Sequence, residues 1–149
     1  MALLQTPRLD DIQHIIQLAV APVFLLSGVG VMLSLFTQRL ARIVDRARLL
    51  EQSADVHPDT EDLHRQLAAL ERRARYINVS ILLGIVSSLF VTATVVLLFA
   101  NALMDLRVDA LIAMTFAAAM LVLASALLSF LMEVRFAMSN LRIGLRKRR

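Results

Sequence analysis

The sequence predicts an all-α membrane protein: three transmembrane helices, with a helical hairpin extending the first and second spans into the cytoplasm. Three observations carry that prediction. The 149 residues are 58% hydrophobic, with a mean hydropathy of +0.70, against roughly 45–50% apolar in soluble domains. The apolar residues gather in three runs, each close to the ~20 residues that cross a bilayer. Between the first two runs lie arginine-rich segments whose apolar residues recur at helical spacing.

The chain opens on a short polar lead. Thr6 before Pro7 supplies an N-cap and first-turn pair, and Asp10 and Asp11 suit the positive end of a helix dipole. Those acids after Arg8, and an apolar run without a small-residue cleavage site, argue against a signal peptide. The first span covers about 15–36, with Gln17 its one strongly polar residue. Pro22 is expected to kink this helix rather than end it. Gly30 and Ser34 form a small-xxx-small pair that would let another backbone come close.

Residues 37–76 are the one sizeable soluble piece. The first arm carries Arg39, Arg42, Arg46 and Arg48 between Leu40, Ile43, Val44, Ala47 and Leu50 and continues the membrane helix to about Ser53. His57-Pro58 within 55–59 reads as a turn, because proline disfavours a helical residue before it. Asp59 or Thr60 can cap the returning arm, on which Leu63, Leu67, Leu70, Ala74 and Ile77 form a seam at 4-3-4-3 spacing.

The second span, about 77–100, has an every-fourth stripe of Ser80, Gly84, Ser88 and Thr92 suited to helix contact. The short connection 101–107 makes the second and third spans antiparallel neighbours. The third span, about 110–132, has its own stripe of Ala113, Ala117, Leu121, Ser125, Ser129 and Glu133. A basic tail, 134–149, completes a single membrane domain covering 1–149.

Arginine and lysine placement orients the chain. Eight arginines lie in 37–76 and six basic residues follow Glu133, whereas the lead and the 101–109 loop hold one each, Arg8 and Arg107. The hairpin and tail are therefore expected in the cytoplasm and the N-terminus outside. The basic tail would meet anionic lipid headgroups; without an aromatic platform it does not read as a nucleic-acid site.

IQLAVAPVFLLSGVG (16–30), RLARIVDRAR (39–48), RRARYIN (72–78) and FLMEV (130–134) together resemble the domain of unknown function 2721 family of bacterial membrane proteins. The resemblance runs from about Ile12 to Ala137, and RLARIVDRAR is its most specific block. It implies a bacterial inner-membrane protein of three spans. It carries no catalytic or ligand residue across; Arg39, Arg42, Asp45, Arg46 and Glu133 are the positions that look like the family's motif.

No enzyme and no cofactor is expected. His14, His57 and His64 are scattered, and Gly28-Val29-Gly30 lacks the strand and third glycine of a nucleotide loop. With no cysteine, disulfides, thiolate metal sites and cysteine nucleophiles are all ruled out. Asp45 lies within reach of Arg42 and Arg48, as a local ion pair or as one of a ring of carboxylates at a subunit interface. Glu133 is the acid at membrane depth, where ionisation needs a partner or water. It reads as one half of a buried ion pair, with Arg39, Arg42, Arg73 and Arg75 at the same level as candidate partners and Arg39 and Arg42 singled out, or else as a proton or ion site.

A final pattern concerns function. Stepping 4-3-4-3 from Gln13 gives Gln13, Gln17, Val20, Phe24, Ser27, Val31, Ser34, Gln38, Ala41 and Asp45. Five of the seven hydrogen-bonding side chains between Ile12 and Gln38 fall on that line, where chance gives about two. A seven-residue repeat keeps facing one partner. The stripe would pack on the serine-glycine stripe of the second span, or would line a pore in a homo-oligomer with Phe24 and Val31 as constrictions. An ion channel lined by Gln17, Phe24, Ser27, Val31, Ser34, Gln38 and Asp45 is the leading functional expectation. The alternative is a scaffold or assembly protein whose arginine hairpin docks a partner.

Overall fold

The computed structural model describes residues 9–54, 61–104 and 107–146, with side chains placed at 13, 16–52, 65–104 and 107–138. Three helices account for almost all of it: α1 (Leu9–Ala54), α2 (Glu61–Met104) and α3 (Asp109–Arg146). All three are long and apolar enough to cross a membrane. At ~1.5 Å per residue α1 is about 69 Å long, more than twice a ~30 Å hydrocarbon layer. Much of α1 and α2 must therefore lie beyond any membrane they cross.

Pro22 sits inside α1 without ending it. Its missing N–H costs one intrahelical bond, which a long apolar helix tolerates. The third helix also outlasts its span. Residues assigned to a basic tail continue as helix to Arg146; no proline interrupts the stretch after Glu133, and Ser139, Asn140 and Gly144 weaken it without ending it. The expected turn at 55–59, the cap candidates Asp59 and Thr60, and the pair Thr6-Pro7 lie outside the described residues, as do the side chains of His14, Leu63 and His64.

The helices form a row with α2 in the middle. α1 meets α2 along Ala19, Pro22, Leu26, Val29, Leu33, Phe36, Leu40, Ile43, Ala47 and Leu50, buried or half-buried at alternating three- and four-residue steps. That seam is almost wholly aliphatic. Its lower part is a cluster of Phe36, Ile43, Leu70 and Ile77, flanked by Leu40, Ala47, Leu50, Ala74 and Phe130. The two arginine-bearing arms thus pack on each other through apolar knobs. The helices pack tightly at Gly84, where an added Cβ would come within 2.8 Å of Leu33 Cδ2.

The α2–α3 contact is different in kind. Ser87 Oγ donates to the Ala119 carbonyl (2.9 Å), Ser129 Oγ to the Tyr76 carbonyl (3.0 Å), and Thr94 and Thr115 hydroxyls meet at 3.2 Å. Hydroxyls join these helices where aliphatic side chains join the other pair. The loop end is fixed by Asn101, whose amide donates to Asp109 (2.9 Å) and accepts from the Val108 N–H (3.2 Å). Beside it Arg107 takes a left-handed φ of 49°, a conformation uncommon outside glycine.

Two sequence-derived stripes are corrected. The buried line on α2 is Ile77, Ser80, Gly84, Ser87, Val91 and Thr94, so Ser88 is only half-buried and Thr92 is exposed. On α3 the inward residues are Ala119, Ala126 and Glu133, whereas Ala113, Ala117, Leu121 and Ser125 are exposed. The physical reason is rotation. At ~3.6 residues per turn a strict fourth-residue step drifts about 40° each time, and three steps carry it off the contact face.

Candidate functional site: a buried carboxylate among arginines

The three helices converge chemically at one place, the level where the apolar part of α1 ends. Phe36 and Phe130 meet there with ring centroids 4.5 Å apart. They form an apolar layer over Ile77, which is fully buried. One turn beyond Phe130 on α3, Glu133 points inward and is only 1% exposed. A carboxylate so enclosed needs full compensation.

It receives it from both other helices. Arg73 of α2 donates twice to Oε1, through Nη2 at 2.8 Å and Nε at 3.1 Å. Arg39 of α1 donates through Nη1 to Oε2 at 3.2 Å and lies 5.1 Å over the Phe130 ring. Each carboxylate oxygen therefore has its own guanidinium, a charge-assisted arrangement stronger than neutral hydrogen bonds. Among the described residues no buried side-chain nitrogen or oxygen lacks a partner. Beside the triad Tyr76 stacks on Phe136 at 5.5 Å, and Arg72 lies 4.8 Å over the same Phe136 ring.

Of the four arginines expected as candidate partners, the structure pairs two with Glu133. Glu133 and Arg39 meet, but Arg42, about 60° round the helix from Arg39 and one turn farther along, borders the same groove without pairing with Glu133. Arg73 is the second partner. Arg75 instead approaches Glu71 at 4.0 Å on the exposed surface. Asp45 forms no ion pair with Arg42 or Arg48 and is exposed, so the local-pair reading of that residue is not what the structure contains. The aromatic pairs around Glu133 were not foreseen. Their signal was Phe130, Glu133 and Phe136 at three-residue steps on α3.

The polar stripe of α1 stands elsewhere. Gln17, Phe24, Ser27, Val31, Ser34, Gln38 and Asp45 are all exposed, Phe24 by 74% and Val31 by 64%. Each stripe position lies two residues before a position of the α1–α2 seam: 17 before 19, 24 before 26, 27 before 29, 31 before 33, 34 before 36, 38 before 40, 45 before 47. Two residues turn a helix about 200°. The stripe therefore faces directly away from α2, and packing on the α2 serines is ruled out within one chain. Ser27 bonds back to the Val23 carbonyl at 3.4 Å and Gln38 to Ser34 Oγ at 3.2 Å. Gln13 and Gln17 have no hydrogen-bond partner among the described residues. Gly28 and Gly30 on the same outer side have nothing within 4 Å of an added Cβ, so no helix of this chain uses the Gly30–Ser34 pair.

Comparison with known families decides the chain's kinship. The family model described as "Protein of unknown function (DUF2721)" matches residues 19–143. The chain belongs to that family. The match takes in α1 from Ala19, all of α2 and nearly all of α3, so Glu133, Arg39, Arg73 and most of the outward stripe fall within the family's own span. No curated protein and no solved structure matches it. Among the described residues no three histidine, cysteine or acidic side chains gather as a metal site.

Proposed function

We propose that this DUF2721 protein is a homo-oligomer in which the first helices of several copies turn their polar stripe toward a common axis and line an ion-conducting pore. The observation that carries the reading is the direction of the stripe. Gln17, Ser27, Ser34 and Gln38 face away from every other helix of the chain, where a lone copy would expose them to lipid tails. Polar side chains at that depth associate with other helices or with water. Phe24 and Val31 then form apolar rings able to block ions by dewetting, and Asp45 stands at the inner mouth.

In this reading the chain lies in a bacterial inner membrane, N-terminus outside, with the packed arms of α1 and α2 extending into the cytoplasm. The scaffold alternative draws on a different observation. Arg42 and Arg46 are exposed on one side of the projecting arm and Arg48 on the opposite side, basic faces that would dock an acidic partner.

Mass measurement of the purified protein and thiol accessibility test the pore. Single cysteines at Ser27 and Ser34 should react with a membrane-impermeant thiol reagent. Cysteines at Leu26 and Leu33, half-buried against α2, and at Val23 and Leu35 on the outer surface should not. A monomer in lipid, or equal protection at all six positions, would defeat the pore reading.

A further inference from the structure

Beside the Glu133 triad a cavity of about 270 Å³ opens between the helices, lined by Arg39, Arg42, Arg46, Arg73 and Glu133 over a floor of Ile43 and Leu70. We infer that this cavity binds a phosphate-bearing anion, with Arg42 and Arg46 as its free guanidiniums and Glu133 holding Arg39 and Arg73 in position. The inference stands apart from the pore reading, because it concerns the groove between α1 and α2 rather than the outward stripe.

Charge argues first. Four guanidiniums and one carboxylate leave an excess of +3 on the lining, since 4 − 1 = 3. Glu133 is shared by Arg39 and Arg73. Neither Arg42 nor Arg46 has an acidic partner among the described residues, although both border the cavity. Crowding like charges without a counter-ion is unfavourable, and a bound anion relieves it. Arginine forks match the tetrahedral oxygens of phosphate better than a point charge does.

Arrangement argues second. Arg39, Arg42 and Arg46 stand at three- and four-residue steps, so they flank one side of the groove while Arg73 comes from the other helix. Arg39 and Arg73 are already immobilised by Glu133 and by the Phe130 ring. A ligand therefore meets two fixed cations and orders only two more, which lowers the entropy cost of binding. At about 270 Å³, the cavity has room for one phosphate group. The apolar floor and the nearness of Phe36 put the site at the level where a membrane's headgroups would lie. A lipid phosphodiester and a soluble phosphate share this chemistry.

The test uses the full-length protein, stripped of lipid in a neutral detergent and titrated with short-chain phosphatidylglycerol or inorganic phosphate, with sodium chloride at matched ionic strength as the reference. Thermal shift and native mass spectrometry read binding. Stabilisation beyond the chloride reference by either ligand is expected. A response to the lipid alone identifies a headgroup, and a response to inorganic phosphate as well identifies a soluble anion. The double variant Arg42→Gln/Arg46→Gln touches no packed contact and should fold normally while binding at least about tenfold more weakly. Arg48→Gln, on the same helix but outside the cavity, should bind as the wild type does. The inference is overturned if neither ligand exceeds chloride, or if the double variant and wild type respond alike.

Discussion

Replacing Glu133 by glutamine should destabilise the helix bundle by about 2–4 kcal/mol. The change keeps the side chain's shape but converts one oxygen acceptor into an N–H₂ donor. In the wild type Oε1 serves Arg73 and Oε2 serves Arg39. Whichever way the amide turns, one guanidinium then faces a donor. Hydrogen bonds to charged groups contribute about 1.5–3 kcal/mol each, and three link Glu133 to its partners. They do not simply add. The two from Arg73 share one oxygen, and Arg39 and Arg73 remain 43% and 25% exposed, so water replaces part of what is lost. The figure therefore falls at or below the ~3–5 kcal/mol for breaking a fully buried pair. At about 2–4 °C per kcal/mol for a chain of this size, the apparent melting temperature should drop by roughly 5–15 °C in detergent. Arg39→Gln made in the Glu133→Gln background should cost less than the same change alone, because the interaction is already gone. An unchanged melting temperature, or additive costs for the two substitutions, would refute the ion-pair account.

The other predictions concern packing, topology and conduction. Gly84→Ala should be tolerated within about 1 kcal/mol, since only the tip of Leu33 must move and the helix gains propensity. Gly84→Leu should cost ~1–3 kcal/mol or more by wedging α1 from α2, which thermal unfolding and loss of an α1–α2 crosslink would both register. Reporter fusions after Leu106 and after Arg149 should be active outside and inside the membrane respectively; the reverse pattern would invert the assigned orientation. Phe24→Ser should raise ion leak in liposomes through loss of the apolar ring, and Asp45→Asn should alter cation-over-anion preference; unchanged flux in both would remove the stripe from any conduction path.

Hydropathy and length by themselves determined that there are three helices able to cross a membrane, because hydrophobic spans are a one-dimensional property of the chain. The same holds for the arms. Outside the apolar runs, Ile43, Ala47, Leu50, Leu67, Leu70 and Ala74 stand out against polar neighbours, and the structure packs Ile43 against Leu70. Inside the first span that contrast vanishes. Nearly every residue there is apolar, so two seven-residue frames two positions apart both look like seams. Polarity drew the eye to the frame through Gln17, Ser27 and Ser34, whereas the contact with α2 uses the aliphatic frame through Val29, Leu33 and Phe36. Helix rotation chooses between such frames, and the burial of Val29 and Phe36 together with the tight packing of Leu33 on Gly84 reveals it. Glu133 tells the same story. Its depth called for an arginine, but Arg39, Arg42, Arg73 and Arg75 stood at one level in the sequence. Selection of Arg39 and Arg73 followed from which guanidiniums the packed helices turn inward, a relation between three segments separated by 34 and 60 residues (73 − 39 and 133 − 73) that only the tertiary structure sets.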